Sequence, residues 1–230
     1  MRNTFFIGII GLFLLAGLAY SDELAELKGQ KERLSYSFGF YFGSNLKKDA
    51  IDIDMDVLLK GIKDSLSGNK TLMTEQEMRE TLTAFQKEMQ ARQADRIRAA
   101  GEKNRKEGEV FLEENKKKEG VKTLPSGLQC RVITEGTGKT PAENDTVTVH
   151  YRGTLIDGTE FDSSYRRGEP ATFPVKGVIP GWSEALQLMK EGAKWQLFIP
   201  SQLAYGERGA GGTIGPNAVL IFDVELISVK

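Results

Sequence analysis

Thiol and imidazole groups are almost absent from this chain. One cysteine, Cys130, and one histidine, His150, stand among 230 residues, which excludes an internal disulfide and a closed zinc site built from Cys and His side chains. Nucleophilic catalysis through a histidine base would have to use His150 alone. An excess of either charge is missing too: 31 Lys and Arg face 32 Asp and Glu, a net charge of −1. A nucleic-acid binder concentrates cations to neutralise phosphates, so no nucleic-acid partner is expected. No metal and no cofactor are called for, and the chemistry should need neither a metal nor an activated nucleophile.

What is present begins with an address. Arg2 precedes an uninterrupted apolar run of sixteen residues from Phe5 to Tyr20, short of the roughly 20 that span a bilayer. Ala19 and Ser21 fit the small-x-small rule, so residues 1–21 read as a secretory signal cleaved after Ser21. An uncleaved single-pass anchor is the alternative, and both place the remainder outside the cytoplasm. Lone Cys130 is expected to be buried and inert.

Residues 22–72 read as a helical domain. Leu34, Phe38, Tyr41 and Phe42 recur on one helical face, Val57, Leu58, Ile62 and Leu66 form a second amphipathic stretch, and Gly68-Asn69 ends it. Gly39 and Gly43 weaken an isolated helix by roughly 1 kcal/mol each, which is easier to explain if another backbone approaches closely there. So short a helical segment makes a poor independent core, so it is expected to pair with a second copy as a dimerisation domain. The alternative is that it folds back on the rest of the chain.

Residues 73–119 read as one connecting helix. Thr74 and Glu77 have capping-box spacing, and no proline follows before Lys118. About 45 residues at 1.5 Å each would extend roughly 65 Å. Met78, Leu82, Phe85 and Met89 give an apolar stripe to the first third, while charge dominates from Gln90 to Glu109, so the middle is expected to be a solvated strut, bending or fraying at Gly101 and Gly108.

Residues 120–230 change to strand periodicity. Val147, Val149 and Tyr151 alternate with Thr148, His150 and Arg152, which makes His150 an expected surface residue. Asp157-Gly158 is a hairpin turn. Trp195, Leu197 and Ile199 form one further strand, Leu220, Phe222, Val224 and Leu226 another, and one short helix is expected over Ser183–Lys190, ended by Gly192. The domain is α+β, antiparallel sheet on a short helix. Aromatic residues flank special backbone at Tyr151, Phe161-Asp162, Val178-Ile179-Pro180-Gly181-Trp182 and Ala204-Tyr205-Gly206. Such residues usually serve packing, but Trp182 at a helix N-terminus can floor a cavity with free backbone N–H groups beside it.

VHYRGTLIDGTEFDSS, VIPGW, LAYGERG and LIFDVELISV, in this order and spacing, resemble the FKBP family of peptidyl-prolyl isomerases over roughly Leu124 to Lys230. RLSYSFGFYFGSNL, TEQEMRETLTAFQKEM, GEVFLEENKKKEGV and LPSGLQCRV resemble its bacterial Mip and FkpA-type branch, whose members are envelope-exported homodimers. The resemblance implies an isomerase acting on proline-containing proteins, exported across the inner membrane to the periplasm or outer membrane, with surface exposure or secretion open. It also implies chaperone activity, a role in infection and binding of macrolide FKBP inhibitors. A dimeric substrate-binding chaperone or host-ligand-binding protein with incidental isomerase activity is the alternative. The family's catalytic positions fall on Asp162, Tyr205, Phe161, Trp182 and Ile179, and its substrate-binding positions on Tyr151, Arg167, Val178, Ile214 and Phe222, with Arg167 as charge partner of Asp162. Ala171 stands where an aromatic wall is common, Ala210 and Thr213 where larger residues often occur, and Cys130 where the branch carries an aromatic. A shallower or more open pocket is expected.

Overall fold

A computed structural model describes residues 27–230; the expected signal, residues 1–21, lies outside them. The chain divides into a unit ending at Thr74 and a unit running from Glu75 to Lys230. Among the described residues, no helix is long and apolar enough to cross a membrane.

The first unit consists of α1 (Gln30–Lys48) and α2 (Met55–Ser67). The Asp54 side chain caps α2 by accepting the Asp56 and Val57 N–H groups, and Gly68 ends it with φ of 66°. Neither helix contains a buried residue. Leu34, Phe38, Tyr41 and Phe42 are exposed as the periodicity predicts for an unpartnered face, but Tyr36 and Phe40 are exposed as well and stack 6.3 Å apart. The apolar surface of α1 is therefore wider than a single stripe. A Cβ built on Gly39 or Gly43 would meet nothing within 4 Å, so the close approach expected there is not made by any of the described residues.

In the second unit, α3 (Glu75–Asn115) is one helix. Exposed pairs such as Arg92–Glu88, Arg98–Asp95 and Arg105–Glu109 line it at helical spacing, and solvent screening leaves each a weak contribution. Its last third is no solvated strut. Gly101 and Gly108, the expected points of bending, are helical and buried: a Cβ on Gly108 would lie 2.7 Å from Val219 Cγ2, and one on Gly101 3.2 Å from Pro216 Cβ. Both glycines let the helix lie directly on the 215–219 segment. Asn104 Nδ2 donates to the Pro216 carbonyl at 2.8 Å, Phe111 packs on Phe198 at 6.0 Å, and buried Asn115 donates to Gln129 at 2.9 Å.

The sheet is antiparallel throughout. Its strands are β1 (Val121–Thr123), β2 (Gln129–Thr134), β3 (Thr146–Leu155), β4 (Glu160–Ser163), β5 (Ala171–Pro174), β6 (Lys194–Ile199) and β7 (Leu220–Val229), ordered β1-β2-β6-β7-β3-β4 with β5 also on β3. Burial alternates along β3 and β7 as the sequence predicts, Val147, Val149 and Tyr151 sharing the inner face with Leu220, Phe222, Val224 and Leu226. On β6, Phe198 is buried as well as the alternating Trp195, Leu197 and Ile199, because Phe111 of α3 packs on it. The helix lying on the sheet, α5 (Pro180–Leu186), starts three residues before the expected Ser183 because Pro180 opens its first turn. It is not the sole helix: α4 (Ser164–Arg167), capped by Ser163 and ended by Gly168, was not expected. Cys130 is buried, and burial raises its thiol pKa.

His150 is not an ordinary surface residue. It is half-buried, its ring stacks on Tyr165 at 4.6 Å, and Nδ1 lies 3.0 Å from the buried Ser164 hydroxyl. That hydroxyl also accepts the Tyr151 N–H at 2.8 Å.

Candidate active site

The inner face of the sheet and the start of α5 enclose a cavity of about 630 Å³. Trp182, in the first turn of α5, is 4% exposed and forms its floor. Three rings meet it edge to face: Phe222 of β7 at 5.1 Å, Tyr151 of β3 at 5.2 Å and Phe173 of β5 at 6.0 Å. Phe161 of β4 packs edge-on against Phe222 at 5.4 Å. Gly153 permits this pair, since a Cβ there would lie 2.6 Å from Phe161 and 2.7 Å from Phe222. Edge-to-face contacts stabilise each ring beyond its burial, so the apolar walls are held in fixed orientations.

Polar groups are few and placed at the rim. Asp162 accepts the Tyr151 hydroxyl at 2.5 Å and pairs with Arg167 at 2.6 Å, while Arg167 also donates to the Tyr151 oxygen at 2.8 Å. Burial works to raise the Asp162 pKa, but hydrogen bonds from Tyr151 and Arg167, the Arg167 charge and the Ser163 N–H together hold it below the usual carboxylate value. Burial and the neighbouring carboxylate raise the Tyr151 phenol, against the pull of Arg167. Asp162 is thus a carboxylate at neutral pH and Tyr151 keeps its proton. Ile179 stands at the N-cap of α5 and Tyr205 is half-exposed on the opposite rim. Neither the Ile179 N–H nor the Tyr205 hydroxyl donates to another group among the described residues, so both are available to an incoming carbonyl.

Tyr151, Phe161, Asp162, Val178, Ile179, Trp182, Tyr205, Ile214 and Phe222 all line this cavity. Arg167 does not; it holds Asp162 and Tyr151 from outside the lining. Ala210 and Thr213 line it as small residues of the loop. Sequence reasoning missed Phe173, which supplies an aromatic wall two residues from Ala171. The alternation of β5 carries the signal: Ala171 and Phe173 are its half-buried positions, Thr172 and Pro174 the exposed ones.

The cavity therefore combines an aromatic floor and walls with a few polar groups at its rim. Residues 137–227 match the FKBP-type peptidyl-prolyl cis-trans isomerase family, and residues 31–132 match the domain amino-terminal to such isomerases. The chain belongs to this family and is an FKBP-type peptidyl-prolyl cis-trans isomerase. It is 50% identical over 222 residues to the outer membrane protein MIP of Legionella longbeachae, covering 96% of this chain and 95% of that protein. It is 50% identical over 221 residues to the peptidyl-prolyl cis-trans isomerase Mip of Coxiella burnetii, covering 95% and 96%. Among solved structures, FkpA from Escherichia coli is similar with a TM-score of 0.73 at 40% identity, covering 88% of this chain and 98% of that one.

Proposed function

We propose that isomerisation takes place in the aromatic cavity on Trp182, and that the substrates are proline-containing segments of exported or cell-envelope proteins. The observation that carries the site is the coincidence of edge-to-face aromatic walls with two unengaged rim donors. An X-Pro amide resists rotation by roughly 18–20 kcal/mol because conjugation keeps it planar. Rotation removes that conjugation and with it part of the charge separation, so an apolar, water-poor enclosure favours the twisted amide over the planar one. The proline ring sits on Trp182 between Phe222, Phe161 and Tyr151, with Val178 and Ile214 closing the sides. Ile179 N–H and Tyr205 hold a substrate carbonyl without opposing the twist. Asp162, kept ionised by Arg167 and Tyr151, orients a polar group of the substrate, and no proton changes hands.

The same reading assigns residues 22–72 to dimerisation, 73–119 to the connecting helix and 120–230 to the isomerase domain. A homodimer is supported by the exposed aromatic surface of α1 and the open space beside Gly39 and Gly43, and a second copy is the occupant that fits both. An envelope location is supported by the name of the Legionella relative. Chaperone activity, a role in infection and binding of macrolide inhibitors in the cavity belong to this proposal.

The test is cis-to-trans exchange of an X-Pro peptide by the purified chain and by Asp162→Leu and Tyr205→Phe. A marked fall in both variants supports the site; unchanged rates in both refute it. Suppression of aggregation that survives both substitutions would favour the binding-protein reading.

A further inference from the structure

A second cavity, of about 370 Å³, lies between α3 and the isomerase fold. Lys103 and Glu107 of α3 form one wall, and Leu155 and Ile156 at the end of β3 with Ala218 form the other. Thr213 lines this cavity and the aromatic one alike, so one exposed side chain borders both spaces. α3 is held here by the Gly101 and Gly108 contacts and the Asn104 hydrogen bond, which makes the wall a fixed part of the unit.

The size is that of a site for a small ligand or a few residues of peptide. Leu155, Ile156 and Ala218 are half-buried and apolar. The charges at the rim have both signs: Lys103 pairs with Glu107 at 3.9 Å, and the Asp157 carboxylate stands on the hairpin side. Neither a strongly acidic nor a strongly basic occupant is selected. A chain bound at Trp182 and leaving over Thr213 runs into this space.

We propose that the groove between α3 and the 155–157 hairpin is an extension subsite, which takes an uncharged, extended segment of the same client polypeptide, carrying an apolar side chain, next to the proline bound in the aromatic cavity. The subsite rests on the placement of catalysis in that cavity. It makes the connecting helix part of substrate recognition, and it gives long clients a contact that short peptides do not reach.

The test compares a tetrapeptide X-Pro substrate with dodecapeptides that extend the same core, on either side, by uncharged Leu-containing sequence. The enzymes are the full chain, Lys103→Trp to fill the groove and Ile156→Ser to remove its apolar wall. The expected result is a lower KM for one dodecapeptide than for the tetrapeptide, lost in both variants by about fivefold, the effect of one partly buried apolar contact. Tetrapeptide kcat/KM stays unchanged in the variants. Equal KM for all peptides on the unmodified chain, dodecapeptide KM unmoved by both substitutions, or an equal loss on short and long peptides each overturns the subsite. A subsite that fails while tetrapeptide turnover still depends on Asp162 and Tyr205 leaves the aromatic cavity as the catalytic site; failure of the cavity itself would show as tetrapeptide rates indifferent to those two residues.

Discussion

Replacing Gly108 by alanine should destabilise the second unit, although alanine is the better helix former. The added methyl would lie 2.7 Å from Val219 Cγ2, where carbon contacts ordinarily settle at about 3.5–4.0 Å. Val219 is 5% exposed and immediately precedes β7, so it has little room to yield, and α3 must lift by about 1 Å. Overpacking of this kind costs about 1–3 kcal/mol. Helix propensity returns about 1 kcal/mol, so the middle of that cost leaves a net loss of about 1 kcal/mol. Gly101→Ala is the internal control: its Cβ would meet Pro216 at 3.2 Å, a milder contact, so propensity and crowding nearly cancel. Urea unfolding followed by tryptophan fluorescence is the assay, because the chain's two tryptophans, Trp182 and Trp195, both lie in this unit, and a midpoint shift at constant slope gives the stability change. A Gly108→Ala protein as stable as the unmodified chain, and no less stable than Gly101→Ala, would refute the close docking of the helix.

The Asp162 carboxylate has a folded pKa below its unfolded value of about 3.9, so its stabilisation is complete above that value and is lost as pH falls through the folded pKa. The stability gap between the unmodified chain and Asp162→Asn should therefore be constant from about pH 7 to 5 and narrow below about pH 4, and a gap that widens on acidification contradicts the assignment. A Cβ on Gly39 meets nothing within 4 Å among the described residues, so Gly39→Leu should leave helicity intact while shifting sedimentation towards the monomer; an unchanged dimer argues against that face. Cys130→Ser buries a hydroxyl at a 2%-exposed site and should cost about 1–3 kcal/mol, and the native thiol should resist a thiol reagent until the protein unfolds; rapid labelling of the folded chain contradicts its burial.

Local periodicity made much of this molecule legible. Val147, Val149 and Tyr151 on β3 and Leu220 to Leu226 on β7 announce their buried faces through strict alternation, and Asp157-Gly158 announces the hairpin. The cavity residues were readable because family motifs surround them. What stayed hidden depends on partners far along the chain: nothing near Gly101, Asn104 or Gly108 signals that residues 215–219 will lie against them, and a polar helix surface reads as solvated unless that partner is known. Phe198 is buried for the same reason. His150 reads as a strand's outer residue, and the short α4 turn, which brings Ser164 and Tyr165 beside it, half-buries it. Helix α4 itself is four residues long and leaves no periodic trace.

In the proposed mechanism an apolar enclosure on Trp182 rotates the X-Pro amide without moving a proton. The solvent deuterium isotope effect on kcat/KM for a prolyl tetrapeptide is the decisive measurement. A value near unity is expected, and it stays near unity in Tyr205→Phe, because that hydroxyl holds a carbonyl and transfers nothing. A large normal isotope effect, abolished by removing Tyr205 or Asp162, would show a proton in flight at the transition state and contradict the mechanism.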